Sequence, residues 1–349
     1  MSRVIQVLAG GPQGGAELHF VRLAVALERA GIDQRIVVRP HPAFLLPLQD
    51  AGVYVAPAPF GGLFDFKTRR ILRREIAAFK PDIVLSYMKR ASRAVPRGDF
   101  VHIGRLGGYY NLKYFRRCHH LVGITPDIVD YCVKHGWSRD RTHVIPNFVE
   151  DRTARPLDRS LLDTPKEAPL VFALGRLHVN KAFDILLGAV AEIPDAYLWL
   201  AGEGSQRSEL ESLAHNLGVA ERVRFLGWQW DPWPYFAAAD VYVVPSRHEP
   251  LGSVVLEGWM MGVPMVAAAS QGPSWLIEDE ETGLLVPIDD APAMAVAIQR
   301  LIEDRGFAER LGRRGRAVYE ASFTEEVAVR RYFALFDKVL KAHAASRAA

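Results

Sequence analysis

Glu249 and Glu257 stand eight positions apart in the stretch Pro245-Ser246-Arg247-His248-Glu249-Pro250-Leu251-Gly252-Ser253-Val254-Val255-Leu256-Glu257. The apolar run 241–244 predicts a buried strand, 245–252 a turn, and Ser253 onward a helix. The first carboxylate would then lie in a loop at the carboxyl end of a strand, and the second about one turn inside the following helix. The amides of Leu251, Gly252 and Ser253 would open that helix. Its free N–H groups suit an anion, and Gly252 would let a phosphate come close to the backbone. Two acids flanking a phosphate site suit a ligand with hydroxyls at both ends and phosphate between them, as in a nucleotide-sugar. A glutamate in a first turn is by itself commonly a helix-dipole partner. The combination of strand, Pro-Ser, Glu-Pro-x-Gly and second Glu favours the functional reading.

A second group is Gly175-Arg176-Leu177-His178-Val179-Asn180-Lys181-Ala182-Phe183-Asp184, after the apolar run 170–174. Arg176 can give a phosphate two parallel hydrogen bonds and Lys181 a point charge. Both gain value as a leaving diphosphate becomes more negative. The glycine-rich loop 10–15, between an expected strand and helix, would bring backbone close to a phosphate or sugar. It fails the dinucleotide fingerprint spacing, and Gly14 and Gly15 are its expected contacts. Tyr87 and Lys89 follow one expected strand in the first half. Arg105 and Tyr109, in Arg105-Leu106-Gly107-Gly108-Tyr109-Tyr110, follow another. These four are the expected acceptor contacts, while His102 lies within a strand and is expected to be packed.

Strand-like and helix-like segments alternate along the chain, which predicts an α/β protein with parallel sheets. The first half holds expected strands at 3–9, 35–38, 53–56, 83–86, 101–103, 120–124 and 143–145. Its expected helices lie at 16–30, 43–51, 67–79 and 126–135. Leu18, Val21, Leu23, Val25 and Leu27 would be the apolar surface of the first. A polar stretch at 149–169 with three prolines and no period is the expected linker. The pattern then restarts and closes on helices at 292–305, 307–321 and 324–343. The expected domains are 1–155 and 166–324, with the last helix, 325–349, returning to the first. Ligands of such doubly wound sheets bind beyond the carboxyl ends of strands.

These blocks resemble retaining glycosyltransferases of family four, the glycosyl transferases group 1. The Glu-x7-Glu block, Gly175–Asp184 and the Gly-Gly-Ala-Glu at 14–17 each match a motif of that family. The resemblance implies the GT-B fold, two Rossmann-like domains facing across a cleft, and transfer of a hexose-type sugar from a nucleotide diphosphate to an acceptor hydroxyl. It implies that Glu249 contacts the donor sugar, Glu257 the ribose, and Arg176 and Lys181 the diphosphate. Gly202 and Gly204 would lie near the nucleobase, and Gly14 and Gly15 near the diphosphate. Leu251 stands where the family has Phe, and Ala182 where it has Gly. The basic first half resembles bacterial enzymes that build lipopolysaccharide core or other envelope glycans.

Composition is that of a globular protein of 349 residues, with two cysteines and no zinc-like spacing. No Asp-x-Asp motif occurs, so metal-independent transfer is expected, with no cofactor beyond the nucleotide-sugar substrate. Residues 1–150 carry 22 − 12 = +10 charges and the remainder 21 − 28 = −7. The basic half suits an anionic glycan or glycolipid, and its helix at 67–79 makes the inner-membrane surface a candidate partner. No nucleic-acid partner is expected. With no signal peptide or span legible in the sequence, a cytoplasmic location is expected. Two alternatives share parts of this pattern: a non-hydrolysing sugar-nucleotide epimerase and a non-enzymatic anionic-glycan binder. The aromatic cluster 228–236 is expected to be core and loop packing.

Overall fold

The computed structural model describes residues 2–11, 15–62 and 65–348, without the side chains of 43, 347 and 348. The chain divides into two compact units, Met1–Phe148 with Glu325–Ala349, and Val149–Thr324.

The first unit is built on strands β1 (Arg3–Leu8), β2 (Asp33–Val38), β3 (Tyr54–Pro57), β4 (Ile83–Tyr87), β5 (Val101–Leu106), β6 (His120–Gly123) and β7 (Thr142–Val144). They pair in parallel in the order β3-β2-β1-β4-β5-β6-β7. Helices α1 (Gly15–Arg29), α2 (Pro42–Asp50), α3 (Phe66–Phe79), α4 (Met88–Ala94) and α5 (Pro126–Lys134) connect them. The central strands β4 and β5 are buried along their whole length, as strands covered on both faces must be. Caps fix the helix starts: Asp65 accepts the Thr68 amide of α3, and Thr125 caps α5 just before Pro126.

The second unit repeats the plan with β8 (Leu170–Leu174), β9 (Tyr197–Ala201), β10 (Val223–Gly227), β11 (Val241–Val244), β12 (Met265–Ala268) and β13 (Leu284–Val286), in the order β10-β9-β8-β11-β12-β13. Its helices are α6 (Phe183–Ala191), α7 (Arg207–Asn216), α8 (Trp233–Ala238), α9 (Ser253–Met260), α10 (Gln271–Leu276), α11 (Ala291–Glu303) and α12 (Arg305–Ser322). The final helix α13 (Glu325–Ala348) belongs to the first unit. Its Ala328, Tyr332, Leu335, Phe336 and Val339 share one core with Phe20 and Leu23 of α1 and with β1, β2, β4 and β5.

Three features differ from the sequence reading. Strand β5 runs three residues past the expected end, to Leu106. Short helices α4, α8 and α10 were not foreseen, because fewer than two turns carry no readable period. Leu18, expected on the apolar face of α1, is exposed, and Phe20 takes the core position instead.

Candidate active site

In each doubly wound sheet the strand order reverses at one place, and the loops leaving the strands there splay apart to form a crevice. In the second unit the reversal falls between β8 and β11. The loop leaving β8 carries Arg176 and Lys181, and the loop leaving β11 carries Glu249 and leads into α9 with Glu257. The two motifs therefore meet at the switch point because of strand order, although they lie far apart in sequence.

Side-chain contacts tie the two loops together. Lys181 Nζ forms an ion pair with Glu249 Oε2, both groups being mostly buried. The Ser246 hydroxyl, 2 % exposed, donates to the same oxygen at 3.4 Å. Arg247 crosses between the loops. Its amide donates to the Asn180 carbonyl at 2.9 Å, and Nη1 to the Val179 carbonyl at 2.7 Å. Its guanidinium takes both carboxylate oxygens of Asp184 at 3.0 and 2.6 Å, and Asp289 at 2.5 Å. Asp184, with Asp289 beside it, raises the Arg247 pKa against the opposing effect of burial. Neither Arg247 nor this use of Asp184 was foreseen. The signal was present, since each lies inside a quoted motif and they are an acid and a base.

Glu257 lies on the second turn of α9 and is half-buried. Its charge and that of Glu249 both act on Tyr242 in β11. Burial first, then Glu257 and Glu249, push the Tyr242 phenol well above its ordinary pKa. The Tyr242 hydroxyl is buried and has no hydrogen-bond partner among the described residues. Lys181 and Glu249 thus meet beyond the end of β11, and the charge of Glu257 reaches the same Tyr242 that Glu249 acts on. Arg176 is exposed on the β8 loop and pairs with no carboxylate among the described residues.

Glycines allow the loops to approach this closely. Gly252, at φ +81°, begins α9, and Gly272 of α10 donates its amide to the Glu249 carbonyl at 2.7 Å. A Cβ on Gly272 would lie 2.2 Å from the Leu251 carbonyl oxygen, so only glycine lets α10 brace the Glu249 loop. Gly202, at φ +140°, would place a Cβ 1.8 Å from the Gly175 carbonyl oxygen, and Gly204 one 2.2 Å from that of Leu177. Gly175 and Leu177 in turn donate to the Ala201 and Glu203 carbonyls, both at 3.0 Å. The Gly-x-Gly loop is therefore needed to hold the Arg176 loop in place, whatever it contributes to a ligand. The Leu251 side chain is buried and Ser253 is half-buried, so Leu251 offers a ligand its backbone only. Ala182, where the family has Gly, holds the left-handed conformation at φ +52° and is fully buried.

The expected acceptor residues of the first unit divide. Tyr87 and Arg105 are corrections: they are 1 % and 2 % exposed. They face each other in register, Tyr87 ending β4 and Arg105 lying inside the extended β5. Arg105 donates to the Tyr332 hydroxyl at 2.9 Å and to Asn147 Oδ1 at 2.7 Å, and lies over the Tyr87 ring. Tyr87 donates to Gln6 Oε1 at 2.8 Å. Both are held within the unit's own core. Lys89 is exposed on α4, and Tyr109 is exposed with its hydroxyl on Asp127. His102 is packed, its Nε2 2.8 Å from Ser86 Oγ, and burial lowers its pKa to about 3. Gly14 lies outside the described residues. Gly15 opens α1 with nothing within 4 Å of a Cβ position, while Glu17 reaches back to accept the Gly11 amide at 3.0 Å.

The basic helix α3 turns Leu72 and Phe79 into the protein's own core, and Phe115 is likewise buried, leaving Phe66 as the exposed apolar residue of that group. Among the described residues no helix is long and apolar enough to cross a membrane. Trp228 and Trp230, expected to pack, are exposed, whereas Phe236 is buried.

Two Rossmann-like parallel sheets, with paired acids and bases at one switch point, define the GT-B class of glycosyltransferases. Family models agree over both units: glycosyl transferases group 1 matches residues 155–318, and glycosyltransferase family 4 matches residues 13–153. The lipopolysaccharide core biosynthesis glycosyltransferase LpsE of Rhizobium meliloti (strain 1021) is 40% identical over 334 residues, 93% of this chain and 96% of its own length. LpsD of the same organism is 38% identical over 331 residues, 94% and 96% of the two chains. Among solved structures, Anabaena Alr3699/HepE in complex with UDP-glucose matches with a TM-score of 0.83 at 20% identity, covering 98% of this chain and 100% of that one. The lipopolysaccharide outer core galactosyltransferase WaaB, apo form, matches with a TM-score of 0.76 at 18% identity, covering 97% and 100%. The chain belongs to the group 1, family-four glycosyltransferases, which decides for a transferase over the epimerase and the non-enzymatic binder.

Proposed function

We propose that this glycosyltransferase moves a sugar, with retention of configuration, from a nucleoside diphosphate to a hydroxyl of an anionic bacterial glycan or glycolipid. The names of LpsE and LpsD favour a lipopolysaccharide core acceptor, reached at the cytoplasmic face of the inner membrane. The observation that carries the donor reading is the Lys181–Glu249 ion pair between the two loops that leave the sheet at the β8/β11 switch point.

Arg176 and Lys181 take the diphosphate, assisted by the amides that open α9, and stabilise it as it leaves. These positive groups stand in for a divalent cation. Lys181 has three donors and Glu249 two oxygens, so their mutual contact leaves each able to hold substrate. Glu249 accepts hydroxyls of the transferred sugar and fixes its orientation. Glu257 accepts the ribose hydroxyls. The acceptor attacks from the face the diphosphate leaves, and its proton passes to the departing phosphate oxygen.

Thermal shift with UDP, GDP, ADP and CDP tests this first: one nucleotide should raise Tm in proportion to the logarithm of its concentration. Glu257→Ala should then weaken that nucleotide at least tenfold, about 1.4 kcal/mol. Arg176→Ala should slow transfer by roughly 10²-fold with a smaller effect on nucleotide affinity. A chain stabilised by none of the four, or variants with unaltered affinity and turnover, would overturn the assignment.

A further inference from the structure

A cavity of about 400 Å³ in the first unit lies at the carboxyl edge of its sheet, where loops leave β2, β3 and β4. It is lined by four arginines: Arg39 after β2, Arg69 on α3, and Arg90 and Arg93 three residues apart on α4. Asp65 is the one acid in the lining, and its carboxylate is already engaged. It accepts the Gly61 amide at 2.6 Å, the Thr68 amide at 2.9 Å and the Thr68 hydroxyl at 2.5 Å. Among the described residues no carboxylate lies within ion-pairing distance of Arg69, Arg90 or Arg93. Elsewhere in the same unit Arg35 pairs with Glu75 and Arg139 with Asp130.

The wall is built rather than incidental. Arg39 donates Nε to the Pro59 carbonyl at 3.1 Å and Nη2 to that of Phe60. Phe60 is 1 % exposed and holds a left-handed backbone at φ +46°, and its amide donates to the buried Thr68 hydroxyl at 2.9 Å. This fixed loop borders the concavity on one side, and α3 and α4 bring Arg69, Arg90 and Arg93 to it from the other. Like charges held together in this way repel until a multivalent anion enters, and planar guanidinium forks match phosphate and carboxylate oxygens in pairs.

We propose that this cavity is an oxyanion pocket that takes a phosphate or carboxylate substituent of the acceptor glycan, separate from the diphosphate site of the second unit. The acceptor part of this rests on the anionic-glycan reading above. The pocket would hold the acceptor by a charge that neutral glycans lack, with Arg90 and Arg93 as its specificity-determining residues.

Titrating the full chain with inorganic pyrophosphate should reveal two classes of site. One should vanish in Arg176→Ala/Lys181→Ala, and the other should weaken at least tenfold in Arg90→Gln/Arg93→Gln. Glucose 6-phosphate and glucuronate, added as competitors beside neutral glucose, separate a phosphate-bearing acceptor from a carboxylate-bearing one. Displacement from the second site by either anion, and not by glucose, supports the pocket. A single class of site, a second class untouched by Arg90→Gln/Arg93→Gln, or displacement by glucose as readily as by the anions overturns it. A chain that keeps the Arg90/Arg93 site yet binds no nucleoside diphosphate retains the pocket and loses the donor reading instead.

Discussion

Residues 1–148 and 325–349 carry 27 Lys+Arg against 14 Asp+Glu, a net of +13, whereas residues 149–324 carry 16 against 26, a net of −10. The proposed diphosphate site thus lies in the acidic unit. Of its two proposed diphosphate cations, Lys181 is paired with Glu249, while Arg176 pairs with no carboxylate among the described residues. The basic unit keeps its cavity arginines unpaired. The comparison teaches that a phosphate site is made by local geometry at a strand switch and not by overall charge, which reports instead on diffuse or multivalent partners. The glycines of the two units differ in the same sense. Gly202, Gly204 and Gly272 of the second unit are demanded by backbone contact, while Gly11 and Gly15 of the first have open space at the Cβ position.

The largest effect should separate the two sets of glycines. In Gly202→Ala the methyl group meets a backbone carbonyl that cannot rotate away, and φ is already positive. We expect a loss of about 4 kcal/mol or more from the second unit, together with loss of nucleotide binding, seen in urea melts and thermal shift. Gly11→Ala should leave stability within about 0.5 kcal/mol. Equal effects of the two substitutions would break the comparison.

Next is Arg105→Ala, which tests packing against acceptor contact. Losing charge-assisted bonds to Tyr332 and Asn147 should cost the first unit about 3 kcal/mol. Nucleotide affinity in the second unit should be retained. A variant of full stability whose acceptor KM alone rises would restore Arg105 as an acceptor contact.

A third effect is graded with pH. His19, His102, His119, His120 and His143 all lie in the first unit, and burial is the first cause of each depressed pKa. For His120 and His143 the value falls to about 4. The unfolded chain then binds more protons than the folded one below about pH 6.5. Stability of the first unit is therefore full above that value and lost progressively as pH falls toward 4. Circular dichroism melts from pH 7.5 to 4.5 should show it, and a Tm constant over that range would count against it.

Much of this architecture was legible because it is local. The short apolar runs of β8, β11 and β12 name their strands, and the Glu-x7-Glu and Arg-x4-Lys spacings mark the switch-point loops. What stayed hidden depends on partners distant in sequence. The end of β5 is set by pairing with β4, which turned Arg105 from an expected loop residue into a core one. Arg247 joins Asp184 across 63 positions, and Gly272 looked like any turn glycine until α10 was seen bracing the Glu249 loop. The arginine cavity assembles from loops after three strands, one of which leads into the unforeseen α4.

Helix α13 has a further consequence. The first sheet is translated first, yet Tyr332, Leu335, Phe336 and Val339, which complete its core, arrive only after the 324 − 148 = 176 positions separating the two pieces. At typical synthesis rates that interval is roughly 10–35 s. During it the nascent amino-terminal half has an open apolar groove, while the middle segment has all it needs to fold. Birth order and folding order are thus opposed, and a stalled ribosome or a nonsense codon before Glu325 would release a protein with one finished half and one that is left sticky.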